Sequence, residues 1–507
     1  MMGGRRPDRQ DAMLTLDATY ARQLDGFSTP WKPAPVPNAR TLFFNRPLAE
    51  SLGLDADALA GPSAAALFAG DAVPDGAVPV AQAYAGHQFG GFSPQLGDGR
   101  AVLLGETVDG AGVRRDIALK GSGRTPFSRG GDGKAAVGPM LREALYGEAM
   151  HALGIPTTRA LAVVATGESV FRETVLPGAV LTRVAASHIR VGTFQFFAAR
   201  GDLARVQRLA DYAIARHDAP LLASTAEGPE RYRAFFAAVA DRQASLVARW
   251  LNVGFIHGVM NTDNMAISGE TIDYGPCAFL EAYDPKAVFS SIDSGGRYAF
   301  GNQPAIARWN LTRLAECLLP LLGDADEAQQ AAAIAVIDAF PARFDRHWRD
   351  GQLAKLGLSP RVGSDADDAA LADDWLALLA AARADFTLAW RHLAAAAEGD
   401  EAPLRVLLPD AAALGAWLAR WRARASADGP GGTARAAALR RANPWLVPRH
   451  PQVEAALAAA SDRDDLAPFD ALLAALREPF EAREDRAALA QPASAEATAC
   501  YRTFCGT

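Results

Sequence analysis

The sequence predicts an α+β protein, and changes of texture along the chain carry that prediction. Between residues 78 and 178, short β-like runs alternate with loops dense in Gly, Arg and Asp, whereas from about 305 to 480 the pattern is predominantly helical and Ala-rich. A third stretch, 255–274, is β-like and bears His257, Asp263, Asn264 and Asp273. Half of the 507 residues are apolar, enough for a large core, and at roughly 100–200 residues per domain the length suggests two to four domains. With Lys and Arg 51 against Asp and Glu 58, the net charge is −7, which argues against a nucleic-acid tail or a basic membrane anchor.

The elements follow in order. Residues 1–77 mix turn-forming Pro30, Pro33, Pro35 and Pro37 with the aromatic anchors Trp31, Phe43 and Phe44, and are expected to form an irregular arm packed on the core. Residues 78–180 form a first lobe, with strands at 101–106 (AVLLGE) and 116–120 (DIALK). Its helix spans 139–153, where Leu141, Leu145, Ala149 and Ala152 recur at helical spacing, Pro139 opens the run and Gly154 follows it. Residues 181–303 hold a hinge and a second lobe, in which a helix over 231–253 feeds into 255–274. Residues 304–490 extend that lobe as helices broken near Gly323, Gly399 and 428–432 (DGPGG), and 491–507 form a tail carrying Cys505. No apolar run approaches the roughly 18 residues needed to cross a bilayer, and the arginines near the N-terminus have no hydrophobic segment behind them, so neither export nor membrane insertion is expected. Cys277, Cys317, Cys500 and Cys505 are too few for a disulfide framework and lack metal-ligand spacing, which places the chain in a reducing cytoplasm.

Three clusters carry chemistry. Gln95-Leu-Gly-Asp-Gly-Arg100 is a glycine turn followed at once by a strand, and Lys120 closes the next strand. Gly97 and Gly99 let backbone amides approach a phosphate that an ammonium one hairpin away neutralises, although a plain hairpin turn has the same composition. The run from Lys120 to Lys134 (KGSGRTPFSRGGDGK) holds five glycines and four basic side chains, with Asp132 and Gly133 among them. A flexible cationic segment before a helix suits an anion. Glu143 on that helix is the candidate partner of Lys120, with Glu148 competing for the role.

The third cluster is His257-Gly-Val-Met-Asn-Thr-Asp-Asn264 followed by Ile272-Asp-Tyr-Gly275. Nucleotide-dependent kinases of the small-molecule type carry His-Gly-Asp-x-x-x-x-Asn, an apolar strand and Asp-Phe-Gly. Here the His, Gly and Asn fall in register, and Asn264 and Asp273 are oxygen ligands that suit Mg²⁺. Glycine turn, strand lysine, helical glutamate, Asn and Asp-aromatic-Gly in this order predict a protein-kinase-like two-lobed fold with an extended helical C-terminal region. The slot of the kinase aspartate holds Val259, which accepts no proton; Asp263 is the nearby carboxylate able to replace it as general base. Arg183 and Arg190, between the two lobes, are either phosphate-binding forks or surface ion pairs.

At these residues the sequence resembles the SelO family, protein adenylyltransferases with a pseudokinase fold formerly grouped as YdiU proteins. The resemblance lies in 84–100 (YAGHQFGGFSPQLGDGR), 116–126 (DIALKGSGRTP), 128–143 (SRGGDGKAAVGPMLRE), 257–264 and 271–276 (TIDYGP), with weaker similarity through the helical region, including Asn443-Pro444. It implies transfer of AMP from ATP to Ser, Thr or Tyr hydroxyls of proteins with release of pyrophosphate, the nucleotide lying flipped relative to kinases. It further implies that Gly97, Gly99, Arg100, Lys120, Asp132, Gly133, Arg183 and Arg190 contact the nucleotide, and that Asp263 accepts the proton. Asn264 and Asp273 would hold Mg²⁺ or Mn²⁺, and Glu143 would orient Lys120. Several eukaryotic relatives end in a selenocysteine close to where Cys505 stands here. With Cys277 four residues after Asp273, the resemblance implies a regulatory Cys277–Cys505 disulfide, free thiols being the alternative; Cys317, in an apolar helix, is expected in the core. The expected partners are ATP and proteins with acceptor hydroxyls. A kinase-type phosphotransferase using Asp263, or an inactive ATP-binding scaffold, are the competing functions.

Overall fold

The short apolar runs pair into one eight-stranded sheet. In the computed structural model, which describes residues 14–504 apart from Val362, Ser364 and Pro430, the strands are β1 (Ser28–Pro30), β2 (Arg40–Phe44), β3 (Val80–Gln82), β4 (Gly86–Gln88), β5 (Gly91–Ser93), β6 (Ala101–Val108), β7 (Arg114–Lys120), β8 (Ala135–Ala136), β9 (Arg159–Phe171), β10 (Val175–Ala185), β11 (Phe255–Ile256) and β12 (Ala278–Phe279). The antiparallel order is β1-β3-β6-β7-β10-β9-β2, with β8 also on β10; β4 and β5 form a separate hairpin, and β11 pairs with β12. The register sets Lys120 opposite both Ala101 on β6 and Leu181 on β10, so the strand that ends in the lysine lies between the glycine turn and Arg183.

Side chains alternate across a strand, and the two faces of this sheet meet different partners. Leu103, Ala118, Val163 and Leu181 pack with Met140, Leu141, Ala144 and Leu145 of the Val137–Ala152 helix. Val102, Leu104, Ile117, Leu119, Val164 and Val180 pack instead under Leu48, Leu52, Leu59 and Phe68 of the N-terminal segment. Each buried Leu or Phe contributes about 1.5–3 kcal/mol relative to exposure, so this covering layer is an integral part of the fold. The segment expected as an irregular arm thus supplies β1 and β2 at opposite edges of the sheet and a helical cover between them. Three- and five-residue strands interrupted by prolines carry too little periodicity to be seen in sequence.

The expected helices occur at Val137–Ala152 and Pro229–Val253, and the helical C-terminal region runs from Gln303 through Leu476 as separate helices. Residues 255–274, expected to be β-like, are a buried loop with β11 at its start and a 3₁₀ turn at Thr262–Asn264. Its backbone groups find side chains rather than a ladder. Gln303 accepts from the His257 amide at 3.0 Å and donates to the Phe255 carbonyl at 2.9 Å, Asn310 donates to the Met260 carbonyl at 2.9 Å, and Asn264 donates to the Val259 carbonyl at 3.0 Å. Among the described residues no helix is long and apolar enough to cross a membrane.

Candidate active site

All twelve residues singled out for nucleotide, metal or proton chemistry line one cavity of about 930 Å³, within the range of small-molecule sites. The glycine turn 97–99, the end of β7, the 128–134 loop, the start of the Val137–Ala152 helix and residues 259–276 form its walls, and Arg502, Thr503 and Phe504 of the tail reach its rim. Nine basic side chains line it against seven acidic ones, a positive bias in a chain of net charge −7, which favours a polyphosphate. The helix enters with its N-terminal end: Gly138 and Pro139 line the cavity, and no side chain caps the first turn, leaving its amides and positive dipole end for an anion.

The glycines are dictated by geometry. Gly97 has φ +71°, and a Cβ there would lie 2.3 Å from the Phe127 ring; Gly133 has φ +69°, and its Cβ would lie 2.1 Å from the Gly123 carbonyl oxygen. Asp132 accepts two bonds from the Arg172 guanidinium, at 2.9 and 3.1 Å, and one from the Lys134 amide at 2.9 Å, so it braces the cationic loop. Lys134 in turn pairs with Glu168 at 2.6 Å.

Lys120 donates to Glu143 and, at 2.7 Å, to Asp273 Oδ1. Arg183 donates to the same oxygen at 2.7 Å, and Arg190 reaches Asp273 Oδ2 at 3.3 Å. The two arginines are therefore buried in the site, 3% exposed each, rather than forming surface ion pairs. Glu148, the alternative partner for Lys120, is committed to Arg159 and Arg477. Burial alone would raise the Asp273 carboxyl, but Lys120, Arg183 and Arg190 hold it well below the usual carboxylate range.

Asp263 has the opposite environment. Burial pushes its carboxyl up to about 6, against the pull of Arg190. Gln88 donates to Oδ2 at 3.3 Å, while Oδ1 is buried without a hydrogen-bond partner. Two carboxylates of one cavity driven apart in this way suit different roles, one a permanent anion and one a proton acceptor. Val259 is buried, and His257 is structural: its Nε2 meets the Ile272 carbonyl at 2.9 Å.

A divalent cation fits the donor set. The Asn264 amide nitrogen is bound to the Val259 carbonyl, which leaves Oδ1 as its ligand atom, and the four lone-pair sites of Asp273 receive three cationic donors, which leaves one for a metal. Among the described residues no three His, Cys, Asp or Glu side chains form a protein-only cage, so a hard ion bound here would complete its shell with water or substrate phosphates.

Sequence reasoning passed over several lining residues. Tyr84 lies under the Arg190 guanidinium at 4.6 Å, and Gln88 touches Asp263; both fall within the 84–100 motif, where a hydrogen-bonding side chain beside glycines was the available signal. Arg142, Glu454 and Arg502 come from elements up to 360 residues apart and leave no local signature. Cys277 is fully buried outside the cavity lining, with its thiol pushed up to about 12 by burial, and Cys317 is in the core as expected. Cys505 lies outside the described residues.

Residues 12–477 match the family described as protein adenylyltransferase SelO. The chain is 62% identical to the protein nucleotidyltransferase YdiU of Cereibacter sphaeroides over 494 residues, covering 97% of this chain and 99% of that protein. It is 59% identical to that of Chromobacterium violaceum (94% and 99% covered) and 55% identical to that of Rhodopseudomonas palustris (97% and 99% covered). The chain belongs to the SelO family. As a SelO protein it is a nucleotidyltransferase, an enzyme class that draws on a nucleotide substrate and generally on a divalent metal, and the cation-lined cavity with its oxygen ligands is the part of the SelO chain suited to both.

Proposed function

We propose that the chain is a protein adenylyltransferase of protein-kinase-like, two-lobed architecture, moving AMP from ATP to Ser, Thr or Tyr hydroxyls of cytoplasmic proteins. The observation that carries this is Asp263: a buried carboxylate with one unpartnered oxygen faces the phosphate-binding cavity, while the kinase aspartate position is Val259. Lys120, Arg183 and Arg190, already gathered on Asp273, supply the positive field for the phosphates, and Gly97, Gly99, Arg100, Asp132 and Gly133 shape the pocket for the outer ones. Glu143 holds the Lys120 ammonium in place. Asp263 takes the proton as the acceptor oxygen bonds to the α-phosphorus, the bond from that phosphorus to the bridging oxygen breaks, and pyrophosphate leaves. A Mg²⁺ or Mn²⁺ ion held by Asn264 and Asp273 would neutralise charge on the phosphates.

The Cys277–Cys505 disulfide belongs to the same proposal. Its support is that Thr503, two residues before Cys505, donates to the carbonyl of Pro276 at 2.7 Å, beside Cys277. Peptide mapping without reductant, after treatment with oxidised glutathione, should show the two cysteines linked; only unlinked Cys505 would remove the bridge.

Incubation with Mg²⁺, a mixed protein substrate and ATP labelled at the α- or the γ-phosphate tests the main reading. Transfer of the α label alone, lost in Asp263→Ala, is expected. Transfer of the γ label would make the protein a kinase, and ATP binding without transfer of either label would make it a scaffold.

A further inference from the structure

The β4–β5 hairpin, within the 84–100 motif, meets the site described so far through Gln88. It lies directly against the loop that carries Asp263, and its residues match that loop one for one. The His87 amide donates to Thr262 Oγ1 at 2.7 Å, the Phe89 amide donates to Asn261 Oδ1 at 3.1 Å, and between them the Gln88 side chain donates to Asp263 Oδ2 at 3.3 Å. Two backbone anchors thus fix the residue whose side chain holds the carboxylate. Both anchors are themselves held: Thr262 donates to Gln195 at 2.6 Å, Gln195 contacts His87 Nδ1 at 2.8 Å, and Tyr298 donates to Asn261 at 2.6 Å.

The approach is too close for a larger residue. A Cβ on Gly86 would lie 2.6 Å from Asp263 Oδ1 and 2.9 Å from Leu96, so glycine at this position lets the strand close on the carboxylate. Gln88 is the side-chain donor to Asp263 among the described residues, at a distance typical of catalytic contacts before substrate arrives, while Oδ1 is buried against Gly86.

We propose that Gln88 is a positioning residue for Asp263: it fixes the carboxylate through Oδ2 in the orientation from which it takes the acceptor proton, and the hairpin anchors hold Gln88 in place. This rests on Asp263 being the base. Because Gln88 acts through Asp263, its loss should lower turnover without weakening ATP binding.

The experiment is a double-mutant cycle on the full chain with α-labelled ATP and a mixed protein substrate. Gln88→Ala should reduce kcat ten- to a hundredfold with KM for ATP within about twofold and an unchanged thermal midpoint, and Gln88→His, which retains a ring N–H donor, should recover part of it. In an Asp263→Ala background, Gln88→Ala should cost nothing further, since its effect passes through the missing carboxylate. Multiplying losses, a rise in KM for ATP, or a fall in melting temperature that accounts for the loss would overturn the proposal. Full activity of Asp263→Ala alone would instead overturn the assignment of the base, so the two failures are told apart. Gly86→Ala gives a second check: the added methyl should lower kcat by a larger factor in the wild-type background than in Asp263→Ala, where only the contacts with Leu96 and the residue-263 Cβ remain.

Discussion

At the scale of the residue, the site is decided by how charge is divided between two aspartates. Asp273 carries three cationic partners and compensates them; it also takes up a left-handed backbone conformation at φ +65°, which a shape-driven core position would not tolerate cheaply. Asp273→Ala should therefore do two things. It leaves Lys120, Arg183 and Arg190 clustered without their anion, so the unfolding free energy measured by urea titration should fall by on the order of 3–5 kcal/mol, and AMP transfer should drop by at least a hundredfold. Lys120→Met retains most of the apolar stem and removes the charge; it should raise KM for ATP and lower kcat together while the fold survives. Near-normal transfer by either variant would remove that residue from the mechanism. Both residues were legible in the sequence, because a strand-end lysine and an Asp-aromatic-Gly are local patterns. The different roles proposed for Asp263 and Asp273 were also read from motif order; what the sequence did not carry is the burial and the distant arginines that drive the two carboxyls apart.

At the scale of the element, the glycine turn and the cationic loop act as one device. Gly97 closes on Phe127 of the loop, Gly99 lies with its Cβ position 2.9 Å from the Phe127 carbonyl, and Ser128 donates to the Gly99 carbonyl. Gly97→Ala should displace this contact and Gly133→Ala the close approach of the loop to Gly123, each raising KM for ATP tenfold or more while the sheet stays intact; isothermal titration with ATP and far-ultraviolet dichroism measure the two sides, and unchanged affinity would mean the loop does not shape the phosphate pocket. Sequence placed β6, β7 and the helix that follows the loop because each has a clear period and a punctuating Gly or Pro. It misplaced 255–274, where an apolar run with chemistry-bearing residues suggests a strand but side chains of Gln303, Asn310 and Asn264 satisfy the backbone. It also missed the edge strands at 28–30 and 40–44, whose partners are Val80–Gln82 and the distant Ala162–Ala165 of β9. Non-local satisfaction of backbone groups leaves no trace in a window of ten residues.

At the scale of the whole molecule, the C-terminal helices and tail are tied into the site rather than appended to it. Arg449, fully buried, donates to Glu281 at 2.6 Å and to Asp385 at 2.7 and 3.0 Å; Arg449→Met would strand both carboxylates and should cost on the order of 3–5 kcal/mol, read from the urea midpoint. Next to it, His450 stacks on Tyr501 of the tail at 4.1 Å and meets the Phe289 ring in a tilted contact at 4.7 Å, with neither ring nitrogen hydrogen-bonded. Tyr501 donates to Glu454, Glu454 accepts from Arg142, and Arg142 donates to the carbonyls of Gly275 and Cys277, just after Asp273. Burial, reinforced by the charges of Arg142 and Arg449, holds His450 down at about 3, and burial with Arg216 and Arg242 does the same for His217. In the unfolded chain each ring takes up a proton below about 6.5, so between about 6.5 and 3 the unfolded state binds more protons and stability falls with pH, whereas above 6.5 these groups contribute no slope. By pH 5 each histidine should have withdrawn about 2 kcal/mol. Hydrogen exchange at residues 498–504 should rise between pH 7 and pH 5 in the wild type, and His450→Phe, which retains the stacking and cannot charge, should abolish that rise and flatten part of the acid slope of the thermal midpoint. Equal acid sensitivity in the variant would place the tail's attachment elsewhere than on this ring.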